Sequence, residues 1–84
     1  MSQRVAVEVS AIWPEDVEAD EGVVVDWFVR EGGTVREGET LCTFQVEKVS
    51  VDVPAPVAGT LVELLVGEDE ELARGDTLGW LEAD

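Results

Sequence analysis

Two segments of the chain, 37 residues apart, decide its fold. Residues 21–45 read EGVVVDWFVREGGTVREGETLCTFQ, and residues 58–82 read AGTLVELLVGEDEELARGDTLGWLE. They align without a gap and share seven identities: Gly22/Gly59, Val25/Val62, Val29/Val66, Glu31/Glu68, Gly38/Gly75, Thr40/Thr77 and Leu41/Leu78. Two copies are too few for a solenoid, which needs about three or more. The repeat therefore predicts one body with an internal pseudo-two-fold.

Short apolar runs alternate with glycine-containing turns in each copy, and this pattern is typical of an all-β sandwich or barrel. No segment of helical length has an apolar period of 3.6 residues, and the acidic run at residues 15–21 is predicted to be a loop. The predicted strands are residues 4–9, 22–29, 34–35, 40–46, 49–53 and 59–66, a brief strand at Leu72, and residues 78–82.

The same pattern predicts which side chains fill the interior. The expected core residues are Val5, Val7, Val25, Val29, Val35, Leu41, Phe44, Val62, Val66, Leu72, Leu78 and Leu81. Cys42 is in strand phase with Phe44 and is predicted to be a small buried hydrophobe. Turn positions with positive φ are assigned to Gly32-Gly33, Gly38, Gly67 and Gly75.

Length and charge limit the classes of protein that the chain can represent. The 84 residues are expected to form a single domain, residues 1–84. Twenty acidic against five basic residues give a net charge of −15, which disfavours nucleic acid and anionic membranes as partners. The acidity fits either ordinary solubility or a surface adapted to high salt. One cysteine and an N-terminus without a secretory pattern predict a cytoplasmic protein.

An enzyme is a poor interpretation of this sequence. It contains no histidine, and neither a glycine-rich phosphate loop nor a Gly-x-Ser-x-Gly motif appears. The acidic runs lack the Asp-x-Asp-x-Asp-Gly spacing of a calcium loop. No catalytic residue and no metal ligand are therefore predicted.

Lys48 is the one lysine in the chain, beside four arginines. It falls between the two copies and between the fourth and fifth predicted strands, in the segment Val46-Glu47-Lys48-Val49. This segment is predicted to be a hairpin turn with Glu47 and Lys48 at its two central positions. The flanking valines are expected to face the core and fix the register. A rigid β platform would then present a single amine to solvent.

Three stretches carry a resemblance to a known family: residues 21–41, the run VEKVSVDVPAPVAG at residues 46–59, and the closing GDTLGWLE at residues 75–82. They resemble the lipoyl domains of 2-oxo acid dehydrogenase complexes, within the wider biotinyl/lipoyl carrier family. In that family the lysine of an Asp-Lys-Ala or Glu-Lys-Val hairpin is joined by an amide to lipoic acid. Biotin carriers typically read Met-Lys-Met there, so Glu47 and Val49 favour the lipoyl branch and are the expected recognition neighbours of Lys48.

The resemblance implies a flattened barrel of two four-stranded antiparallel sheets related by a pseudo-two-fold. It also implies a non-catalytic carrier of acyl groups and reducing equivalents on a swinging arm. The implied partners are a lipoate ligase or transferase, a thiamine-dependent 2-oxo acid decarboxylase, a dihydrolipoyl acyltransferase and a dihydrolipoyl dehydrogenase. Two alternatives stay open: a biotin carrier of a carboxylase with biotin on Lys48, and an unmodified interaction module of the same fold.

The first loop, SAIWPEDVEADEG at residues 10–22, lies beside the lysine hairpin in the family that the chain resembles, where it helps the decarboxylase recognise its carrier. Trp13 is the large apolar residue of this loop and is expected to be exposed, as part of a partner surface. Trp27 and Trp80 lie in apolar runs instead and are predicted to be packing residues.

Overall fold

The computed structural model describes residues 3–84, and within them it is all-β, as predicted. The strands are β1 (Gln3–Glu8), β2 (Glu21–Trp27), β3 (Thr34–Val35), β4 (Thr40–Val46), β5 (Val49–Pro54), β6 (Gly59–Leu64), β7 (Glu71–Ala73) and β8 (Thr77–Ala83). A 3-10 turn at Ser10–Ile12, which the sequence did not predict, follows β1. Residues 15–20 form no helix or strand, which confirms the predicted loop except at Glu21, the first residue of β2. Residues 1 and 2 of the predicted domain lie outside the described residues.

The strands form two antiparallel four-stranded sheets, in the orders β1-β8-β6-β3 and β5-β4-β2-β7. The two orders correspond position by position: β5 to β1, β4 to β8, β2 to β6 and β7 to β3. The last three of these pairs are related by the 37-residue shift of the repeat. Even the irregularities repeat, because the register shifts at Val24/Asp26 in β2 and at Leu61/Glu63 in β6. The predicted pseudo-two-fold and the flattened barrel are confirmed.

The core lies between the two sheets. Its buried members are Val7, Val9, Trp13, Val24, Val35, Leu41, Cys42, Phe44, Val46, Val53, Ala55, Leu61, Leu72, Leu78 and Leu81. Seven of the predicted core residues are among them. Val5, Val29, Val62 and Val66 are only half-buried.

Val25 is the clear error in the predicted core, since its side chain is 40% exposed and Val24 points inward instead. The cause is the register shift between Val24 and Asp26, which leaves Val25 as the extra residue of a β-bulge. The same shift occurs one repeat later, where Leu61 is buried in place of Val62.

The predicted positive-φ turns are correct for Gly32 and Gly38, whose φ values are 90° and 86°. The prediction is wrong for the remaining glycines, which do not adopt positive φ: Gly33, Gly67 and Gly75. In the second copy Asp69, the repeat mate of Gly32, takes the left-handed conformation with a φ of 66°. Aspartate tolerates this region better than most residues, so the turn does not need a glycine there.

Trp27 has the packing role that the sequence predicted. Its ring is half-buried against the core, and its Nε1 donates a hydrogen bond to the carbonyl oxygen of Val66 at 2.7 Å. Over residues 3–84, the chain has no helix with the length and apolar character needed to cross a membrane.

Candidate functional site

Lys48 stands at the tip of the β4–β5 hairpin. Val46 pairs with Val49, so Glu47 and Lys48 are the two central residues of the turn, as predicted. Both side chains are exposed. Within residues 3–84 the one salt bridge joins Arg74 to Asp20, so the Lys48 amine has no carboxylate partner in that part of the chain.

The two valines that flank the turn differ in burial. Val46 is fully buried and anchors the hairpin in the core. Val49 is 37% exposed, which contradicts the expectation that both valines face the core. Val49 is the first residue of β5, and β5 is an edge strand, so the opposite sheet covers it less. Val49 is therefore available to a partner that approaches Lys48.

The turn holds an unusual backbone conformation. Glu47 has a φ of 54°, in the left-handed region that two-residue hairpin loops require and that glycine or asparagine usually occupies. The side-chain amide of Gln45 donates a hydrogen bond to the Glu47 carbonyl oxygen at 3.1 Å. This contact bridges the base and the tip of the hairpin and restricts the direction in which Lys48 projects.

A glycine supports the hairpin from the neighbouring strand. A Cβ atom at Gly22 in β2 would lie 2.6 Å from the carbonyl oxygen of Gln45 and 2.9 Å from Cγ2 of Val46. Real Cβ atoms do not approach a backbone oxygen so closely, so only glycine allows β2 to pack against the end of β4 here. The hairpin therefore rises from a closely packed base.

Trp13 is a core residue, and the expectation that it is exposed is wrong. Its side chain is 5% exposed and its ring stacks on Phe44, with centroids 5.4 Å apart and an interplanar angle of 24°. Its Nε1 donates a hydrogen bond to the Ala19 carbonyl oxygen at 3.0 Å. The guanidinium of Arg74 lies 5.8 Å from the ring centroid, within cation–π range. The first loop thus folds inward over Phe44.

The first loop and the lysine hairpin nevertheless lie at the same end of the barrel, as the resemblance implies. The loop enters β2 at Glu21, which pairs with Ala73, and Val23 pairs with Gln45 near the hairpin. The amide of Arg74 also donates a hydrogen bond to the Asp20 carbonyl oxygen at 2.9 Å. The loop is therefore fixed beside the hairpin, with Trp13 beneath it.

No other chemistry-bearing cluster is found in the described chain. Residues 3–84 contain no group of three or more Cys, Asp or Glu side chains arranged to hold a metal ion. An open groove of about 830 Å³ lies between Trp27–Glu31 and Leu64–Glu68, and the hairpin does not line it. Cys42 is fully buried in β4, as predicted. The hairpin is therefore the candidate site.

Cys42 should make the stability of the fold pH-dependent under alkaline conditions. Burial raises the pKa of its thiol from 9.0 to about 12. The unfolded chain loses this proton at lower pH than the folded chain, so stability present below the unfolded pKa is lost as the pH rises toward 12. We expect the free energy of unfolding to fall by about 1 kcal/mol per pH unit in this window. Urea unfolding of the wild type and of Cys42→Ala measures this, and equal slopes in the two proteins would disprove it.

The chain is similar to one known protein family and to several known proteins. The biotin/lipoyl family model, described as "Biotin-requiring enzyme", matches residues 15–81. The dihydrolipoyllysine-residue acetyltransferase component of the pyruvate dehydrogenase complex from Staphylococcus epidermidis is 38% identical over 63 residues, 75% of this chain and 14% of that protein. The Staphylococcus aureus protein of the same name is also 38% identical over 63 residues, 15% of its length. The chain therefore spans about one seventh of these relatives.

Two solved structures share the fold. A single-chain, multi-domain long-chain acyl-CoA carboxylase aligns over 96% of this chain and 7% of its own, with a TM-score of 0.74 and 23% identity. The lipoyl domain of the 2-oxoglutarate dehydrogenase complex from Azotobacter vinelandii aligns over 96% of this chain and 95% of its own, with a TM-score of 0.69 and 22% identity. At this identity the likeness establishes the architecture alone.

Proposed function

The chain belongs to the biotin/lipoyl family, and on that premise we propose that it is a lipoyl carrier with lipoic acid joined to Lys48. The observation that carries the proposal is the position of the one lysine of the chain, exposed at the tip of a two-residue turn on a closely packed hairpin. A modifying enzyme needs an amine that reaches into its active site, and this turn presents one.

The residues around Lys48 fit a covalently attached arm. The amine is exposed and makes no salt bridge with the described residues, so no ion pair within them has to break before it reacts. Val46 and Gly22 fix the base of the hairpin, while Gln45 restrains its turn. Glu47 and Val49, exposed on either side of Lys48, are the residues that a ligase or transferase would contact.

Attachment is an acyl transfer to the Lys48 amine. Lys48 Nζ would attack the acyl carbon of an activated lipoyl donor, such as the acyl adenylate that a ligase makes from lipoic acid and ATP with release of pyrophosphate. The amide bond would form as AMP leaves, and the amine would give up a proton to the ligase or to solvent. A transferase that starts from another lipoyl donor reaches the same amide with a different leaving group. The carrier supplies the nucleophile and its position.

The attached dithiolane supplies reversible thiol–disulfide and acyl-transfer chemistry between successive active sites. The chain itself performs no bond-making step in the cycle, so the domain is non-catalytic. Tethering through Lys48 raises the effective concentration of the arm at each partner site. The proposed partners are a thiamine-dependent 2-oxo acid decarboxylase, a dihydrolipoyl acyltransferase and a dihydrolipoyl dehydrogenase. The relatives are named as acetyltransferase components of pyruvate dehydrogenase complexes, which supports a role in a complex of this kind.

A cytoplasmic location belongs to the same proposal. The relatives are components of bacterial pyruvate dehydrogenase complexes, and the cysteine of this chain is free. Free thiols are usual in reducing compartments.

A biotin carrier of a carboxylase is the second candidate, because the matching family model covers biotin-requiring enzymes. The residues beside the lysine favour lipoate over biotin, since the chain has Glu47 and Val49 where biotin carriers typically have methionines. An unmodified interaction module remains the third possibility, and the absence of any added mass on Lys48 would identify it.

The choice of cofactor is tested by exchanging the flanking residues. The wild type should accept lipoate from a lipoate ligase and be a poor acceptor for a biotin ligase. Glu47→Met with Val49→Met should raise kcat/KM with the biotin ligase by about tenfold, because a few side-chain contacts shift discrimination by one to two orders of magnitude. Intact mass after each reaction gives the result. Efficient biotinylation of the wild type would favour the biotin carrier instead.

A further inference from the structure

The outer face of the sheet that carries the lysine has an exposed row of side chains next to the hairpin. The strand register aligns one residue from each strand across this face: Glu71, Val23, Gln45 and Ser50. All four are exposed, and Val23 is 40% exposed despite its apolar side chain. This row lies one residue pair away from the Val46–Val49 pair that closes the lysine turn.

A shallow hollow of about 300 Å³ opens on this face above Gly22. Its lining consists of Glu21, Gly22, Val23, Gln45, Glu47 and Glu71. Gly22 contributes its backbone to this lining, because a Cβ at this position would point inward, toward the buried Val46. Three carboxylates therefore surround one exposed valine, and one of them, Glu47, is the neighbour of Lys48. We call this surface the β2 face.

The internal repeat shows that the fold does not require this surface. The corresponding row on the other sheet is Thr34, Thr60, Glu82 and Arg4, matched strand by strand and by the same pairing. The repeat mate of Val23 is Thr60, and that of Glu71 is Thr34. The repeat mate of Glu21 is Ala58. An apolar residue within an acidic rim is thus specific to the sheet that carries Lys48.

We infer that the β2 face is the docking surface for the ligase that modifies Lys48, and this inference rests on the proposed function. An enzyme that holds an acyl adenylate binds its phosphate with cationic side chains, so the surface around its active site is positive. When Lys48 enters that site, the adjoining face of the carrier lies against the entrance. Carboxylates of Glu21, Glu47 and Glu71 match a cationic rim, and Val23 supplies apolar contact.

A second copy of the chain is a poorer occupant. Each chain has a net charge of −15, and the β2 face adds three carboxylates to any contact between two copies. Like charges at such a contact repel one another. Charge complementarity thus selects a cationic enzyme surface.

The test transplants the residues of the other sheet onto the β2 face. The face variant is Glu21→Ala, Val23→Thr and Glu71→Thr, each replaced by its own repeat mate. The control variant is Glu8→Ala with Glu37→Thr, which removes two negative charges, as many as the face variant does, from exposed positions elsewhere. With a purified lipoate ligase, lipoic acid and MgATP, the face variant should raise KM for the carrier by about tenfold with kcat within twofold. The control should change KM by less than twofold.

Binding of the same ligase to the three proteins, each also carrying Lys48→Arg, separates docking from modification. About tenfold weaker binding of the face variant alone supports the inference, and equal binding of face and control variants overturns it. If the ligase modifies the wild type normally and the face variant has an unchanged KM, the β2 face is not the docking surface. The proposed function would still stand in that case. Wild type that the ligase neither binds nor modifies overturns both. A self-association lost in the face variant would assign the surface to a second copy and overturn the inference.

Discussion

Replacement of Lys48 by arginine is expected to abolish lipoyl attachment completely while the domain still folds. Lys48 is the one lysine of the chain, and a guanidinium stays protonated and does not form the amide. The position is exposed and the positive charge is kept, so the free energy of unfolding should stay within about 0.5 kcal/mol of the wild type. Intact mass after incubation with a lipoate ligase, together with urea unfolding, measures both effects.

A matched variant tests the geometry of the site and not only its chemistry. Glu47→Lys combined with Lys48→Arg moves the amine by one residue within the same turn. A misplacement of about 1 Å can cost about 100-fold in rate when a reaction depends on alignment, and a shift by one residue is larger, so modification should be slower by at least about that factor. Lipoate on the Lys48→Arg chain would refute the assignment. Rapid modification of the shifted amine would show that position within the turn is unimportant.

Trp13→Ala is expected to lower the free energy of unfolding by about 3–5 kcal/mol, the usual range for truncating a buried tryptophan. The ring is buried, stacks on Phe44 and bonds to Ala19 through Nε1. A small domain has only about 5–15 kcal/mol of net stability, so this loss is a large part of the total. Urea unfolding followed by circular dichroism measures it.

Trp13→Phe provides the control, because phenylalanine keeps an aromatic ring against Phe44 but cannot donate the hydrogen bond to Ala19. The expected loss is about 1–2 kcal/mol, from that bond and the smaller ring. If Trp13→Ala and Trp13→Phe unfold at the same urea concentration as the wild type, the loop does not pack over Phe44. Trp13 would then not hold the first loop beside the lysine hairpin.

The strands could be predicted because the two copies of the repeat can be compared with each other. Every predicted strand is present, and the 37-residue repeat by itself predicts the pseudo-symmetry that relates the two sheets. The phase of β2 was not predictable, since Val23, Val24 and Val25 are all apolar and alternation cannot choose between them. A β-bulge then decides that Val24 faces inward.

The lysine site and its surroundings differ in how far the sequence revealed them. Lys48 could be selected because it is unique and falls between two predicted strands. Trp13 was misplaced because a loop has no periodicity, although Val17 and Ala19 nearby, both packed on the core, were a sign of an inward-folded loop. The β2 face could not be predicted, because Glu71 and Val23 are brought together only by the register of distant strands.

The central claim is tested most directly by the intact mass of the wild-type protein isolated from the cell that makes it, with peptide mapping of the added group. A mass increased by one lipoyl group, located on Lys48, is the predicted result. A biotinyl group on Lys48 would identify the carboxylase carrier instead. A chain with no added mass, or with the group on any other residue, would contradict the account.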